Sequence, residues 1–210
     1  ILFLIILPIV SKAEDGSRLW LLADTKSNAE VTSNKQSPVI NVAIQEIRNQ
    51  WKSAPVRFTI HNNKTINRLG KEGYLITGNK LSGISIQASS DKGILYGAYH
   101  LLRLQDTGND AGELQISESP AYDIRILNHW DNLNRTVERG YAGYSLWKWD
   151  ELPDVISPRY QEYARANASI GINGTVVNNV NASPDILKED YLRKVKVLAD
   201  IFRPYGIKVY

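Results

Sequence analysis

Apolar and polar positions follow two rhythms along this chain. In its first half, Leu19-Trp-Leu-Leu-Ala23 is an unbroken apolar run and predicts a strand. Ile40, Ala43, Ile44, Ile47 and Trp51 fall at i, i+4, i+7 and i+11 spacing, the apolar face of one amphipathic helix. Pro38 stands just ahead of that face, where its fixed φ suits a helix start. Val56-Arg-Phe-Thr-Ile60 alternates with period two, as a half-buried strand does. Gly73-Tyr-Leu-Ile-Thr77 and Gly83-Ile-Ser-Ile-Gln87 predict two more strands, with Gly78-Asn79 at a turn between them. Asp91 suits the N-cap of a helix carrying Ile94, Leu95, Ala98, Leu101 and Leu102. The order β-α-β-β-β-α makes a small, sandwich-like α/β layer, helices against a sheet, over residues 17–118.

Beyond Pro120 the rhythm changes. Tyr122-Asp-Ile-Arg-Ile-Leu-Asn128 predicts a strand, Pro158 to Ile170 a helix, and Ile172-Asn-Gly-Thr-Val-Val-Asn178 a second strand. Asp190 opens a helix through Phe202, and Gly206-Ile-Lys-Val-Tyr210 is a further strand. Alternation of this kind calls for a parallel sheet with helices outside. Residues 120–210 are therefore expected to form the first, incomplete part of a (β/α)8 barrel. A doubly wound sheet is the alternative, weakened because no Gly-x-Gly-x-x-Gly follows any of the strands.

Composition narrows the class. Of 210 residues, 43% are apolar and 22% charged, which excludes a disordered tail or a multi-span membrane protein. The net charge of +3 is spread without a basic stripe, so no nucleic-acid partner is expected. Cysteine and methionine are both absent, which removes disulfides, zinc-thiolate sites and a cysteine nucleophile. The opening run from Ile1 to Val10 is too short to span a bilayer, which takes about 20 residues. Followed by Ser11-Lys-Ala13, it fits the apolar core and small-x-small cleavage site of a secretory signal, so residues 1–13 read as a signal-peptide remnant rather than a buried strand or short core helix. The chain stops inside the apolar run at Tyr210, and the expectation is that the barrel continues beyond it.

Polar residues gather after the first two strands of the second half: Asn128-His129-Trp130-Asp131-Asn132 and Asn178-Asn179-Val180-Asn181. In a barrel the strand C-termini form the functional mouth. Amides beside an indole suit a sugar, whose hydroxyls exchange hydrogen bonds while an apolar ring face stacks on the aromatic. The plainer alternative makes Trp130 a core residue and the asparagines turn formers. Between the clusters, Val137 to Trp149 carries two glycines, two tyrosines and two tryptophans, a loop that must pack against something or line a cleft. Its Glu138 and Arg139 are adjacent and point apart in an extended chain, so an anionic substrate is a better partner for Arg139 than Glu138 is. His61, His100 and His129 show no metal-ligand spacing, and Ser145 lacks the Gly-x-Ser-x-Gly setting of a nucleophile. Three Asn-x-Thr sequons, at Asn63, Asn134 and Asn173, are what an Asn-rich chain produces by chance. No metal or cofactor is expected.

Ile124-Arg-Ile-Leu-Asn-His-Trp-Asp-Asn-Leu133, Glu138-Arg-Gly-Tyr-Ala-Gly143 and Asn173-Gly…Asn178-Asn-Val-Asn-Ala182, in that order, closely resemble the α-glucuronidases of glycoside hydrolase family 67. The first half, through Gly73-Tyr-Leu-Ile and Ala88-x-x-Asp-x-Gly93-Ile-Leu-Tyr-Gly97, resembles the non-catalytic α/β domain before the barrel in that family and in β-hexosaminidases. The resemblance implies a secreted or periplasmic enzyme that cleaves, with inversion, the α-1,2 bond of (4-O-methyl)glucuronic acid on xylo-oligosaccharides. It further implies that Trp130 walls the glucuronate pocket and that Val180 faces the 4-O-methyl group, with His129, Asn179 and Arg139 nearby. The catalytic carboxylates of such enzymes come from later barrel strands, so no catalytic residue is assigned before Tyr210. The sequence departs from the family pattern at Asn134-Arg135 and at Tyr144, which bears on the rim and the loop shape. A non-catalytic carbohydrate-binding or scaffold module is the alternative function.

Overall fold

The computed structural model describes residue 16 and residues 19–21, 27–110, 112–181 and 183–210. The apolar run at 1–10 and the Ser11-Lys-Ala13 motif, read above as a signal-peptide remnant, lie outside those residues, as do Leu22 and Ala23. Leu19 and Trp20 form a turn and Leu21 is irregular, so the run at 19–23 is not a strand where it is described. Leu21 is instead a plug, fully buried in the core. The first strand is β1 (Val31–Ser33), too short and too polar to announce itself.

There follow α1 (Pro38–Gln50), β2 (Val56–Ile60), the one-turn α2 (Lys64–Asn67), β3 (Tyr74–Asn79), β4 (Gly83–Ala88), α3 (Asp91–Asp106) and β5 (Leu114–Glu118). Ser37 caps α1 by accepting from the Ile40 N–H, with Pro38 at the helix start. Ser90, not Asp91, is the N-cap of α3; Asp91 sits one residue inside, where its charge favours the positive end of the helix. Gly78 and Asn79 belong to β3, and residues 80–82 make the turn.

These strands form one sheet in the order β1-β2-β4-β3-β5, parallel among β1, β2 and β4 and antiparallel at β3 and β5. Register explains which face is covered. Val56 pairs with Ile84, Phe58 with Ile86 and Ile86 with Ile76, a continuous apolar face. Arg57, Thr59, Ser85, Gln87 and Thr77 alternate onto the other side. Both long helices pack on the apolar face, so the layer is two-deep, not three. Gly93 and Gly97 let α3 come close: a Cβ on Gly97 would meet Ile86 Cγ2 at 2.6 Å, and one on Gly93 the Gly73 carbonyl at 2.5 Å.

A second sheet follows, built from β6 (Ile126–Asn128), β7 (Gly174–Val176) and β8 (Lys208–Val209) in sequential order and all parallel. Helices α4 (Arg159–Ser169) and α5 (Glu189–Phe202) make the crossovers. Lys188, not Asp190, is the N-cap of α5, and Asp190 lies in its first turn, where its charge favours the positive helix end. The strands are shorter than their apolar runs predict, and Tyr122 and Ile124 stay exposed ahead of β6.

Two acids of the first layer hold arginines of the second. Glu46 on α1 is buried and receives Arg165 of α4 at both its oxygens, through Nε (2.6 Å) and an NH2 group (2.9 Å), while Gln50 donates to the second of these oxygens. Burial works against the Arg165 charge, but Glu46 outweighs it and the guanidinium is held above its ordinary value. Glu72 takes Lys92, Arg125 and the Asn173 amide, so one carboxylate of the first layer touches the bases of both β6 and β7. Among the described residues no helix is long and apolar enough to cross a membrane.

Candidate functional site

Past the C-terminal ends of β6 and β7 the backbone ladder continues through His129 N–H to the Val176 carbonyl (3.1 Å) and Asn179 N–H to the Asp131 carbonyl (2.7 Å). The two polar clusters singled out in the sequence are therefore side by side. Strand-like alternation carries on with them: His129 and Asp131 turn inward, while Trp130 between them turns out and is 42% exposed. Trp130 is thus not a core residue. Val180 is 78% exposed, whereas its neighbour Asn179 is buried.

Beneath this surface lies a polar chain. His129 Nε2 contacts the Tyr163 hydroxyl at 2.7 Å, and that hydroxyl meets Thr175 Oγ1 at 2.9 Å. Nδ1 of His129 stands 3.9 Å from Asp131. Burial pushes the imidazole below its ordinary pKa, with Asp131 pulling the other way, and burial also pushes the Tyr163 phenol up to about 12. The balance favours the neutral imidazole over the imidazolium. The Ser145 hydroxyl donates to Asp131 Oδ2 at 2.5 Å and accepts from the Trp147 N–H. Serine, histidine and aspartate are all present, yet the serine meets the carboxylate and the imidazole turns to Tyr163. The imidazole is not aimed at the serine, so these three side chains do not form a Ser-His-Asp triad.

The aromatic loop divides its residues between two jobs. Trp147 and Trp149 fold inward, Trp147 into a cluster with His129, Tyr160, Tyr163 and Phe202 at centroid distances of 5.2–5.9 Å. Tyr141 and Tyr144 stay outside, 75% and 82% exposed. Two hairpin-like bridges, Asp131 to Val137 and Thr136 to Tyr144, fold the loop back over the end of β6. Arg139 lies at its exposed tip, free of any ion pair among the described residues. Glu138 has a left-handed backbone (φ 57°), and its carbonyl accepts from Asn132 Nδ2 (2.7 Å) and Asn179 Nδ2 (3.4 Å).

The structure accordingly brings Trp130, Val180, His129 and Asn179 to one end of the parallel sheet, with Arg139 on the loop beside them. Trp130, Val180 and Arg139 present accessible side chains; His129 and Asn179 are largely inside and act on the backbone and on Tyr163. Sequence reasoning missed Asp131, Ser145, Tyr163 and Thr175. Tyr160, Tyr163, Ala164 and Asn167 recur at i, i+3, i+4 and i+7 on α4, a spacing that marks its inner face.

The profile of the glycosyl hydrolase family 67 middle domain matches residues 104–210. A probable alpha-glucuronidase A of Aspergillus clavatus is 43% identical over 126 residues, 60% of this chain and 15% of that protein. An alpha-glucuronidase of Hypocrea jecorina is 36% identical over 147 residues, 67% of this chain and 17% of its own length. The chain therefore spans under a fifth of the curated relatives it matches. Among solved structures, an enzyme of glycoside hydrolase family 138 targeting pectin rhamnogalacturonan II covers 86% of this chain and 24% of its own at TM-score 0.58 and 16% identity. A β-hexosaminidase of Streptomyces plicatus covers 96% and 46% at TM-score 0.54 and 13% identity. At such identities the likeness is one of fold. By the matched profile, which takes in both polar clusters and the loop between them, this chain belongs to glycosyl hydrolase family 67.

Proposed function

We propose that this chain is part of an α-glucuronidase that releases (4-O-methyl)glucuronic acid from the α-1,2 linkage on xylo-oligosaccharides, with inversion, in xylan breakdown outside the cytoplasm. The observation that carries the reading is the exposed Trp130, held outward at the end of a parallel strand directly beside the Asn179-Val180 turn, within the segment the family profile matches. In this reading residues 120–210 open a (β/α)8 barrel, the preceding layer is its non-catalytic partner, and the mouth is the face that Trp130 occupies. Trp130 stacks on the uronate ring, Val180 meets the 4-O-methyl group, and Arg139 offers charge to the carboxylate. Inverting hydrolysis needs one carboxylic acid to protonate the leaving oxygen and a carboxylate to activate water on the opposite face. Those groups are assigned to later strands, C-terminal to Tyr210.

Incubating the full-length protein and this 210-residue piece with aldotriouronic acid tests the assignment. Free uronic acid is expected from the full-length protein alone. Turnover by the piece well above buffer would place the carboxylates within it and overturn that part of the reading.

A further inference from the structure

We propose that Asp131 is a positioning residue: its buried carboxylate anchors the aromatic loop and its carbonyl the turn that carries Val180, and together they hold Trp130 and Val180, the two walls of the proposed uronate pocket, in register; the idea deepens the reading above and rests on it. Three separate chain segments meet at the mouth: the end of β6 (129–132), the aromatic loop (137–145) and the turn after β7 (178–181). Asp131 belongs to the first and is joined to the other two. Its side chain holds the loop through the Ser145 hydroxyl, at 2.5 Å. Its carbonyl holds the β7 turn through the Asn179 N–H, at 2.7 Å, one residue before Val180. Its backbone bridges Val137, and its own neighbour in the chain is Trp130.

Burying a carboxylate is costly, and Asp131 is only 4% exposed. Simple packing does not explain it, because an apolar side chain would fill the space without desolvating a charge. A carboxylate does give a short, strong bond from a hydroxyl, and a rigid one. The surroundings show what that rigidity serves. Glu138 is held in a left-handed backbone conformation that persists only where its neighbours over-determine it. Its N–H donates to the Trp130 carbonyl at 2.8 Å, and its own carbonyl takes both the Asn132 and the Asn179 side chains. Each hydrogen bond in this set has at one end Trp130 itself or a residue adjacent to Trp130, Val180 or Arg139. None runs to the substrate face itself, so Asp131 acts through the residues it holds.

In the full-length enzyme Ser145→Ala removes the donor that anchors Asp131 to the loop. Walls that no longer hold their spacing bind substrate less well, so KM for aldotriouronic acid is expected to rise roughly 5- to 30-fold, the factor that goes with one lost buried polar contact. Turnover number should stay within about twofold, because the reacting groups lie elsewhere. Acrylamide quenching of Trp130, read as the difference between each protein and its Trp130→Phe counterpart, should increase. A fall in kcat with KM unchanged would overturn the proposal, as would unchanged KM together with unchanged quenching. Should Ser145→Ala not fold, Ser145→Cys keeps the shape, weakens the donor and is judged by the same two readouts. If the wild-type enzyme releases no uronic acid, the assigned function fails, while the quenching comparison still decides whether Asp131 fixes Trp130.

Discussion

The two halves of this chain bury different kinds of residue. The first layer fills its interior with Phe58, Ile76, Ile84, Ile86, Ile94 and Leu101, and its few buried polar residues include Glu46, which receives Arg165 of the other half, and Gln50, which donates to Glu46. The second buries, beside the apolar cluster around Trp147, Tyr160 and Phe202, a set of polar residues: Asp131, Ser145, Asn167, Asn173, Thr175 and Asn179; Trp130, Tyr141, Tyr144 and Val180 stay in the open. An apolar interior is non-directional and tolerates many sequences of the right volume. A buried polar network has one satisfied geometry, and a half-satisfied one is costly. The first layer is therefore built to be stable, and the second to hold particular side chains in particular places.

The sharpest way to break this contrast is to compare stability with activity, one substitution per half. Phe58→Ala should cost about 3–5 kcal/mol of folding free energy, measured by denaturant unfolding of the full-length protein, with KM unchanged in the molecules that remain folded. A change below about 1 kcal/mol would show that the first core is loosely packed. Gly97→Ala should cost about 1–3 kcal/mol, because its new Cβ meets Ile86 and the Tyr74 ring. In the second half Trp130→Ala should do the reverse. Stability should stay within about 0.5 kcal/mol, as at other exposed positions, while kcat/KM falls by the equivalent of about 1–3 kcal/mol. Near wild-type kinetics would remove Trp130 from the site.

A finer test separates wall from scaffold at Val180. Val180→Asn should shift preference from methylated towards unmethylated glucuronate by roughly tenfold or more, without loss of stability. An unchanged ratio of kcat/KM values would mean that Val180 does not meet the methyl group. The smallest expected effect is on acid stability. Burial raises the Glu72 carboxyl, but hydrogen bonds and charge from Lys92 and Arg125 outweigh it and hold the group below its ordinary value of 4.5. A depressed carboxyl contributes stability that is complete above that value and lost as pH falls through the lower, folded one. Glu72→Gln should therefore narrow its stability gap from wild type on going from pH 6 to pH 3; a constant gap would show that the charge on Glu72 does not matter.

In the first layer α1, β2, β3, β4 and α3 were legible in the sequence, most plainly where a period runs: two in β2 and β4, and a helical repeat in α1 and α3. What escaped were β1, β5 and α2, which are short and draw on neighbours rather than on a pattern of their own. The apolar run at 19–23 misled for the opposite reason, since hydrophobicity alone marks burial and not extended structure. In the second half the motifs marked the end of the parallel sheet where Trp130, Val180 and Asn179 come together. They gave no sign that Asp131 and Ser145 would pair across the loop, because that contact depends on the loop folding back through two single bridges. Ser145 looked inert when judged as a nucleophile; its partner is a carboxylate that reads, in sequence, as one more residue of an amide-rich turn.

The crossing ion pairs bear on how the two halves can be exchanged. In both, the acid belongs to the first layer and the arginine to the second: Glu46 with Arg165, Glu72 with Arg125. Neither half is thus a free-standing cassette. A chimaera that joined residues 120–210 to a foreign first layer would leave two guanidiniums pressed against a surface with no acid to receive them, and recombination between relatives preserves the fold only where each acid travels with, or meets, its arginine.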